Sequence, residues 1–293
     1  MPHTMARMGD VLAGFHAAWE FESDSVLIRF ERGIRTPKLF QALGERRIPL
    51  DAIAAVTVTP GRRGTVVLRA EPRPGADPLM EAAAGQLKET SDPYRLVLPA
   101  ERETLAEYYA DELRSLLAPA DAGPAERYLV QPPEAPQQFK AYDGKASFDG
   151  RSVHFRWFWT GASSAKWKAG DQSFAVSDIG GVEWRSPEVF EGHLRLLHRD
   201  PATGRPAQAD QDPAAVVFGL GYGPVHESLP FAASVLAAVR AAGPGVPKPE
   251  ASVPRRDPAD IADRIRHLGE LHEAGLVTDE EFSVKKAELL AEL

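Results

Sequence analysis

The chain has 293 residues, 43% hydrophobic and 26% charged, the proportions of a folded soluble protein with room for about two domains. It has no cysteine, which excludes disulfides, thiolate nucleophiles and the usual zinc frameworks. A net charge of −8 argues against general nucleic-acid binding. With no export signal and no apolar run near the ~18 residues of a spanning helix, the cytosol is the expected location.

In chain order, residues 3–7 read as a flexible lead-in. Trp19 and Phe21, then Val26, Ile28 and Phe30, alternate with Glu20, Glu22, Leu27 and Arg29 around a Ser23-Asp24-Ser25 turn, predicting a hairpin with one buried face. The stretch 31–45 follows as an Arg-rich loop. Short strands are expected over 48–50 and 53–58, and Gly61-Arg62-Arg63-Gly64 makes a tight turn into a strand over 65–69. Residues 71–93 are too polar and too rich in Pro and Gly for a strand, but Leu79, Met80, Ala83 and Leu87 have the spacing of one short amphipathic helix. A strand over 94–98 leads to a helix over 105–117, with Leu105, Tyr109, Leu113 and Leu116 on one face.

Residues 119–138, dominated by Ala and Pro, read as an extended connector. Beyond it the pattern is written again. Phe15, Phe21, Val26, Ile28 and Phe30 fall on Tyr142, Phe148, Val153, Phe155 and Trp157 at one constant offset; 47–56 lies over 173–182; Gly64, Val66 and Leu68 match Gly192, Leu194 and Leu196. Each copy closes with an apolar strand, 94–98 or 215–218, and a helical run, 105–117 or 231–242. The second hairpin is more aromatic: Phe155, Trp157 and Trp159 alternate with His154, Arg156 and Phe158, so both faces want cover. A Pro-rich tether, 243–258, precedes a helical pair over 259–293. Ile261, Ile265 and Leu268 supply the first helix's apolar stripe, Gly275 its C-terminus, and Thr278 with Glu281 a capping box for the second, on which Phe282, Leu289 and Leu293 share a face. The expected domains are thus 10–118, 139–242 and 259–293. A pair shorter than the ~40 residues at which isolated domains are usually viable needs a partner surface, on the body of the protein or on another copy.

The segment Leu268-Gly269-Glu270-Leu271-His272-Glu273-Ala274-Gly275-Leu276-Val277-Thr278-Asp279-Glu280-Glu281-Phe282, with Lys285-Lys286-Ala287-Glu288-Leu289-Leu290, resembles the bacterial short C-terminal domain called SHOCT. That resemblance implies an accessory module for oligomerisation or partner contact. Six or seven short strands and one helix, twice over, are similar to the pleckstrin-homology-like fold, in which two orthogonal sheets are plugged by a C-terminal helix. The fold class expected is therefore α+β, mostly β: two tandem pleckstrin-homology-like domains and a C-terminal helical hairpin. The combination is similar to a bacterial family with tandem repeats of this kind, whose function the resemblance leaves open.

Residues 29–73 are positive inside an acidic chain. The resemblance implies that loops between early strands hold anionic ligands, and Arg32, Arg35, Lys38, Arg46, Arg47, Arg62 and Arg63 would then offer charge-assisted hydrogen bonds to a lipid headgroup, a phosphate or an acidic peptide. The alternative is a solvated face, or a seam with the acidic second half. Phe158, Trp159 and Trp167 are candidates for a partner surface, with burial between the domains as the alternative; Ile265, Leu268, Phe282 and Leu289 are the candidates in the tail. The run Gly219-Leu220-Gly221-Tyr222-Gly223-Pro224 reads better as a strand-to-helix turn than as a dinucleotide loop, because Pro224 stands at the third glycine and no βαβ unit surrounds it. No cofactor is expected. His193 and His198 fall on opposite faces of a strand, and His267 and His272 align poorly on a helix, so no metal site is expected either. The chain is expected to be a non-enzymatic cytosolic binding protein that self-associates or meets a protein partner through its tail. A peripheral binder of anionic lipid or phosphate, and an enzyme with a site between the domains, are the alternatives.

Overall fold

A computed structural model describes residues 10–117, 123–200, 206, 208–243, 282–283 and 286–287. The first repeat runs β1 (Asp10–Ala13), β2 (Ala17–Phe21), β3 (Ser25–Phe30), α1 (Lys38–Leu43), β4 (Glu45–Pro49), β5 (Ile53–Pro60), β6 (Thr65–Pro72), α2 (Pro78–Ala83), β7 (Arg95–Pro99) and α3 (Glu103–Leu116). The second runs β8 (Gln137–Lys140), β9 (Gly144–Phe148), β10 (Ser152–Trp157), α4 (Ser164–Ala169), β11 (Gln172–Ala175), β12 (Ile179–Arg185), β13 (His193–His198), β14 (Ala215–Val217) and α5 (Val225–Ala242). Each repeat is a four-stranded and a three-stranded sheet of sequential strands, all antiparallel. The chain is mostly β, in two tandem copies.

The copies agree below the level of the apolar pattern. A 3-10 turn joins the sheets in each, Leu50–Ala52 and Val176–Asp178, and each next strand opens with a register shift, between Ile53 and Ala55 or Ile179 and Gly181. Before each last strand an Asp-Pro pair repeats one device. The carboxylate of Asp92 accepts from Tyr94 N at 3.0 Å and lies 3.2 Å from Arg69 Nε; that of Asp212 accepts from Ala214 N at 2.9 Å and lies 3.0 Å from Arg195 Nε. Both turns are locked by a side chain and the middle strand of the same sheet.

Some expectations need correction. The stretch 31–45 contains α1, bounded by Pro37 and by Gly44 at φ 66, with Phe40 stacked 4.6 Å from Phe30. On α3 the buried face is Ala106, Tyr109, Ala110 and Leu113, with Phe21 stacked 4.3 Å from Tyr109; Leu105 and Leu116 are exposed. The second plug begins at Val225, not 231, and carries Pro230 within it. A proline reads from sequence as a helix start, which hid residues 225–230. Residues 123–136 are outside regular structure but not free: Ala125 and Val130 are buried in the first core, and Leu129 N and Val130 N both donate to Ala76 O, at 2.8 and 3.0 Å.

The two repeats belong to one compact unit. Leu39 of α1 and Leu79, Ala82 and Ala83 of α2 sit in the apolar cluster of the second repeat, beside Leu229, Phe231 and Val235 of α5. Polar contacts reinforce the seam: Gln86 bonds Trp184 O and Ser186 N, each at 2.9 Å, Lys88 pairs with Glu188 at 2.8 Å, and Arg240 donates to Gly75 O at 3.0 Å and Ala125 O at 2.9 Å. The 243–258 tether beyond Gly243 lies outside the described residues, and so does the 259–293 pair except for four of its residues.

Candidate functional site

In the first repeat the turns gather at one end. Phe15 N donates to Val97 O at 2.7 Å, Glu31 N to His16 O at 2.9 Å and Ala100 N to Gly64 O at 3.1 Å, which brings the β1–β2, β3–α1, β5–β6 and β7–α3 connections together. Within the β3–α1 loop, Thr36 is buried with its hydroxyl 3.3 Å from His16 Nδ1, and the Gln41 amide donates to Gly33 O at 3.0 Å and Thr36 O at 2.9 Å. Anchored on its inner side, the loop turns Arg32, Ile34, Arg35 and Lys38 outward, all exposed. Arg62 and Arg63 lie on the β5–β6 turn of the same end, held by Thr65 Oγ1 donating to Arg62 O at 2.7 Å.

Two of the seven candidate cations stand elsewhere. Arg46 is only 5% exposed: its guanidinium lies 2.6 Å from Asp77 Oδ1 and 3.1 Å from the Tyr94 hydroxyl, which itself donates to Asp77 Oδ2 at 2.6 Å. Burial works against that charge, but Asp77 and Tyr94 more than offset it and raise Arg46 above its ordinary range. Burial, with Asp77 adding to it, likewise pushes the Tyr94 hydroxyl far up. A side chain so enclosed does not meet a ligand. Arg47 bonds Ser25 at 3.0 Å and pairs with Glu22, at the β2–β3 turn and so at the opposite end of β3.

The second repeat gathers the same turns. Tyr142 N donates to Val217 O at 3.0 Å, Phe158 N to Asp143 O at 2.9 Å and Phe218 N to Gly192 O at 2.8 Å. Asp143 is buried: one oxygen accepts from Val217 N at 2.9 Å, and the other lies 2.5 Å from Lys166 Nζ, which sits 5.0 Å above the Trp157 ring. Burial raises the Asp143 carboxyl and lowers the Lys166 ammonium, each partner opposing the other's shift. Around this buried pair the surface is aromatic. Tyr142 and Tyr222, both exposed, meet edge to face at 6.3 Å, and Leu220 is fully exposed between Gly219 and Gly221. A Cβ on Gly219 would come within 3.0 to 3.2 Å of Tyr142, so the glycine is what lets that ring lie against the loop. Of the aromatic candidates, Trp159 is exposed and Phe158 and Trp167 half-buried, with the two tryptophans 4.8 Å apart at 86°. Trp167 packs against the second repeat's apolar cluster.

Beside it lies a shallow open cleft of about 400 Å³, lined by Gln138, Lys140, Lys145, Gly221, Tyr222 and Glu227 among others. Lys140 and Lys145 are directly opposite on β8 and β9, and Arg156 is opposite Lys145 on β10. The first repeat has Ala13 opposite Ala18 there. The sequence reading missed these lysines; the repeat alignment carries the signal, since two alanines of one copy become two cations in the other. In the tail, Ile265, Leu268 and Leu289 lie outside the described residues; Lys286 sits 5.5 Å above the Phe282 ring. Among the described residues no cluster of His, Asp and Glu is placed to hold a metal ion.

The comparisons with known proteins come to two matches. The model of a domain of unknown function (DUF4429) matches twice, over residues 19–114 and 146–236. That of the short C-terminal domain matches residues 263–290. No curated protein matches the chain.

Proposed function

The chain belongs to the family defined by that domain of unknown function, carrying it twice and ending in the short C-terminal module, and on this premise we propose that it is a non-enzymatic recognition protein that captures an anionic ligand at the loop end of its first repeat. One observation carries the reading. Arg32, Arg35, Lys38, Arg62 and Arg63 are exposed at that end and ion-pair with no carboxylate among the described residues, although the chain as a whole has a net charge of −8. A cluster of cations without carboxylate partners, held on anchored loops, is set to meet an external anion through charge-assisted hydrogen bonds. The order of strands and plugging helix, with early-strand loops at one end, is consistent with the pleckstrin-homology-like expectation. The two buried charge clusters, Arg46–Asp77–Tyr94 and Asp143–Lys166, belong to different repeats and each pairs within itself, which favours binding over chemistry.

Calorimetric titration with inositol hexakisphosphate, a soluble probe of clustered cations, tests this. Reversing Arg32, Arg35 and Lys38 together to Glu is expected to weaken binding at least about ten-fold, and added salt to weaken it further, as charge-assisted contacts do. Arg47→Glu, at the other end of β3, is expected to leave it unchanged. Equal losses from both variants would reduce the effect to net charge. The C-terminal module has the separate role of self-association or partner docking in this proposal. Light scattering of a chain ending at Pro258 reads it, and an unchanged mass removes that part.

A further inference from the structure

The loop before α1 and the loop before α5 lead into neighbouring helix starts. Leu39, the second residue of α1, is buried in the second repeat's apolar cluster with Leu229 of α5, against which Val225 also packs. The two loop ends therefore lie side by side. Lys38 acts on His226 across this junction, helping to lower its pKa after the larger effect of burial.

Each loop carries an aliphatic side chain at its tip with nothing to pack on. Ile34 and Leu220 are both fully exposed, in loops that are otherwise anchored. Around Ile34 stand Arg32, Arg35 and Lys38, with Phe15 half out of the surface. Around Leu220 stand Tyr142 and Tyr222, then Lys140 and Lys145. Like charges directly opposite on a sheet repel, and the first repeat avoids the problem with Ala13 and Ala18. Two further cations thus add to the positive charge beside the second tip, at a cost in the free protein. A soluble anion would use the cations and leave both aliphatic tips in water. A surface that is anionic outside and apolar a few ångströms deeper would use everything present: cations to headgroups, tyrosines at the boundary, tips inside.

Resting on the anion-binding reading above, we propose that this composite end is a docking face for an anionic phospholipid bilayer, with Ile34 and Leu220 as paired insertion points and Lys140 and Lys145 as second-repeat headgroup contacts. Attachment is interfacial: among the described residues no helix is long and apolar enough to cross a membrane.

The test is co-sedimentation of the full chain with phosphatidylcholine vesicles, with and without phosphatidylserine. The chain is expected to bind the phosphatidylserine vesicles only, and less as salt rises. Ile34→Asp and Leu220→Asp each weaken that binding at least about ten-fold, the scale of losing one buried aliphatic side chain. Both side chains are fully exposed, so circular dichroism and melting stay as in the parent, and binding of inositol hexakisphosphate by Leu220→Asp is expected to persist. If both variants sediment like the parent, the tips do not insert and the proposal is wrong. If the chain binds inositol hexakisphosphate but no vesicle, the ligand is a soluble anion: the membrane face falls while the anion reading stands. Binding to neither removes both.

Discussion

Asp143 and Lys166 occupy a place that the first repeat fills without a charge pair. Lys166 is the third residue of α4, and the third residue of α1 is Phe40, stacked on Phe30; Asp143 follows Tyr142 as His16 follows Phe15. The fold does not need ions there, yet once both are present neither can be removed alone. Taking one partner out of a fully buried pair leaves an uncompensated charge, which costs roughly 3 to 5 kcal/mol, whereas replacing the pair with apolar side chains of similar volume is near neutral. Asp143→Asn is therefore expected to lower the unfolding free energy by that much, read as a lower urea midpoint at an unchanged denaturant slope. The double variant Asp143→Leu with Lys166→Met should recover most of it. If the single substitution has no effect, the pair is not buried as described. The first repeat's Arg46–Asp77–Tyr94 cluster follows the same logic from a different position, β4 with the residues just before α2 and β7.

At the scale of elements, what could be read from residues depended on length. Strands of five to eight residues such as β2, β3, β5 and β6 repeat their apolar positions often enough for alternation to reveal them, and the same alternation revealed the duplication. Helices of six residues, α1 and α4, span less than two turns and carry no legible period, so the Arg-rich stretch read as a loop. The fourth strand held an unused clue. Arg46 and Ile48 are two apart on β4 and must share a face, and since Ile48 is in the core, Arg46 had to point inward and leave the ligand candidates. Lys140 and Lys145 were equally open to view, but only the hairpin register places them opposite one another. The contrast between α3 and α5 needed the tertiary structure. Each plugs its own repeat, but α3 leaves Leu105, Tyr108 and Leu116 exposed, whereas α5 is apolar nearly all round because α1 and α2 of the first repeat cover its outer side. An all-apolar helix in a sequence signals two covers without saying where the second comes from.

For the molecule as a whole, fusion of the repeats converts two modest loop ends into one face. A module with independent repeats would present Ile34 and Leu220 to different surfaces; the burial of Leu39, Leu79 and Ala83 in the second core holds them in one frame. His226 reports directly on that frame, because it sits at the start of α5 and its surroundings come from both repeats. Burial lowers its pKa most, Glu227 3.7 Å away opposes, and Lys38 from the first repeat lowers it further. A histidine with a depressed folded value favours the neutral ring, so its contribution to stability is fully present above the unfolded pKa of about 6.5 and is lost as pH falls through the folded value. Removing the Lys38 charge while keeping its stem, by Lys38→Met, is expected to raise the His226 midpoint in an NMR titration. The variant should then lose less melting temperature than the parent between neutral pH and about pH 5, because its folded and unfolded values lie closer together. Glu227→Gln is expected to move the midpoint the other way, which separates a charge effect from loss of packing. Should Lys38→Met leave the midpoint in place while Glu227→Gln shifts it, the starts of α1 and α5 do not adjoin, and two separate loop ends replace the single face.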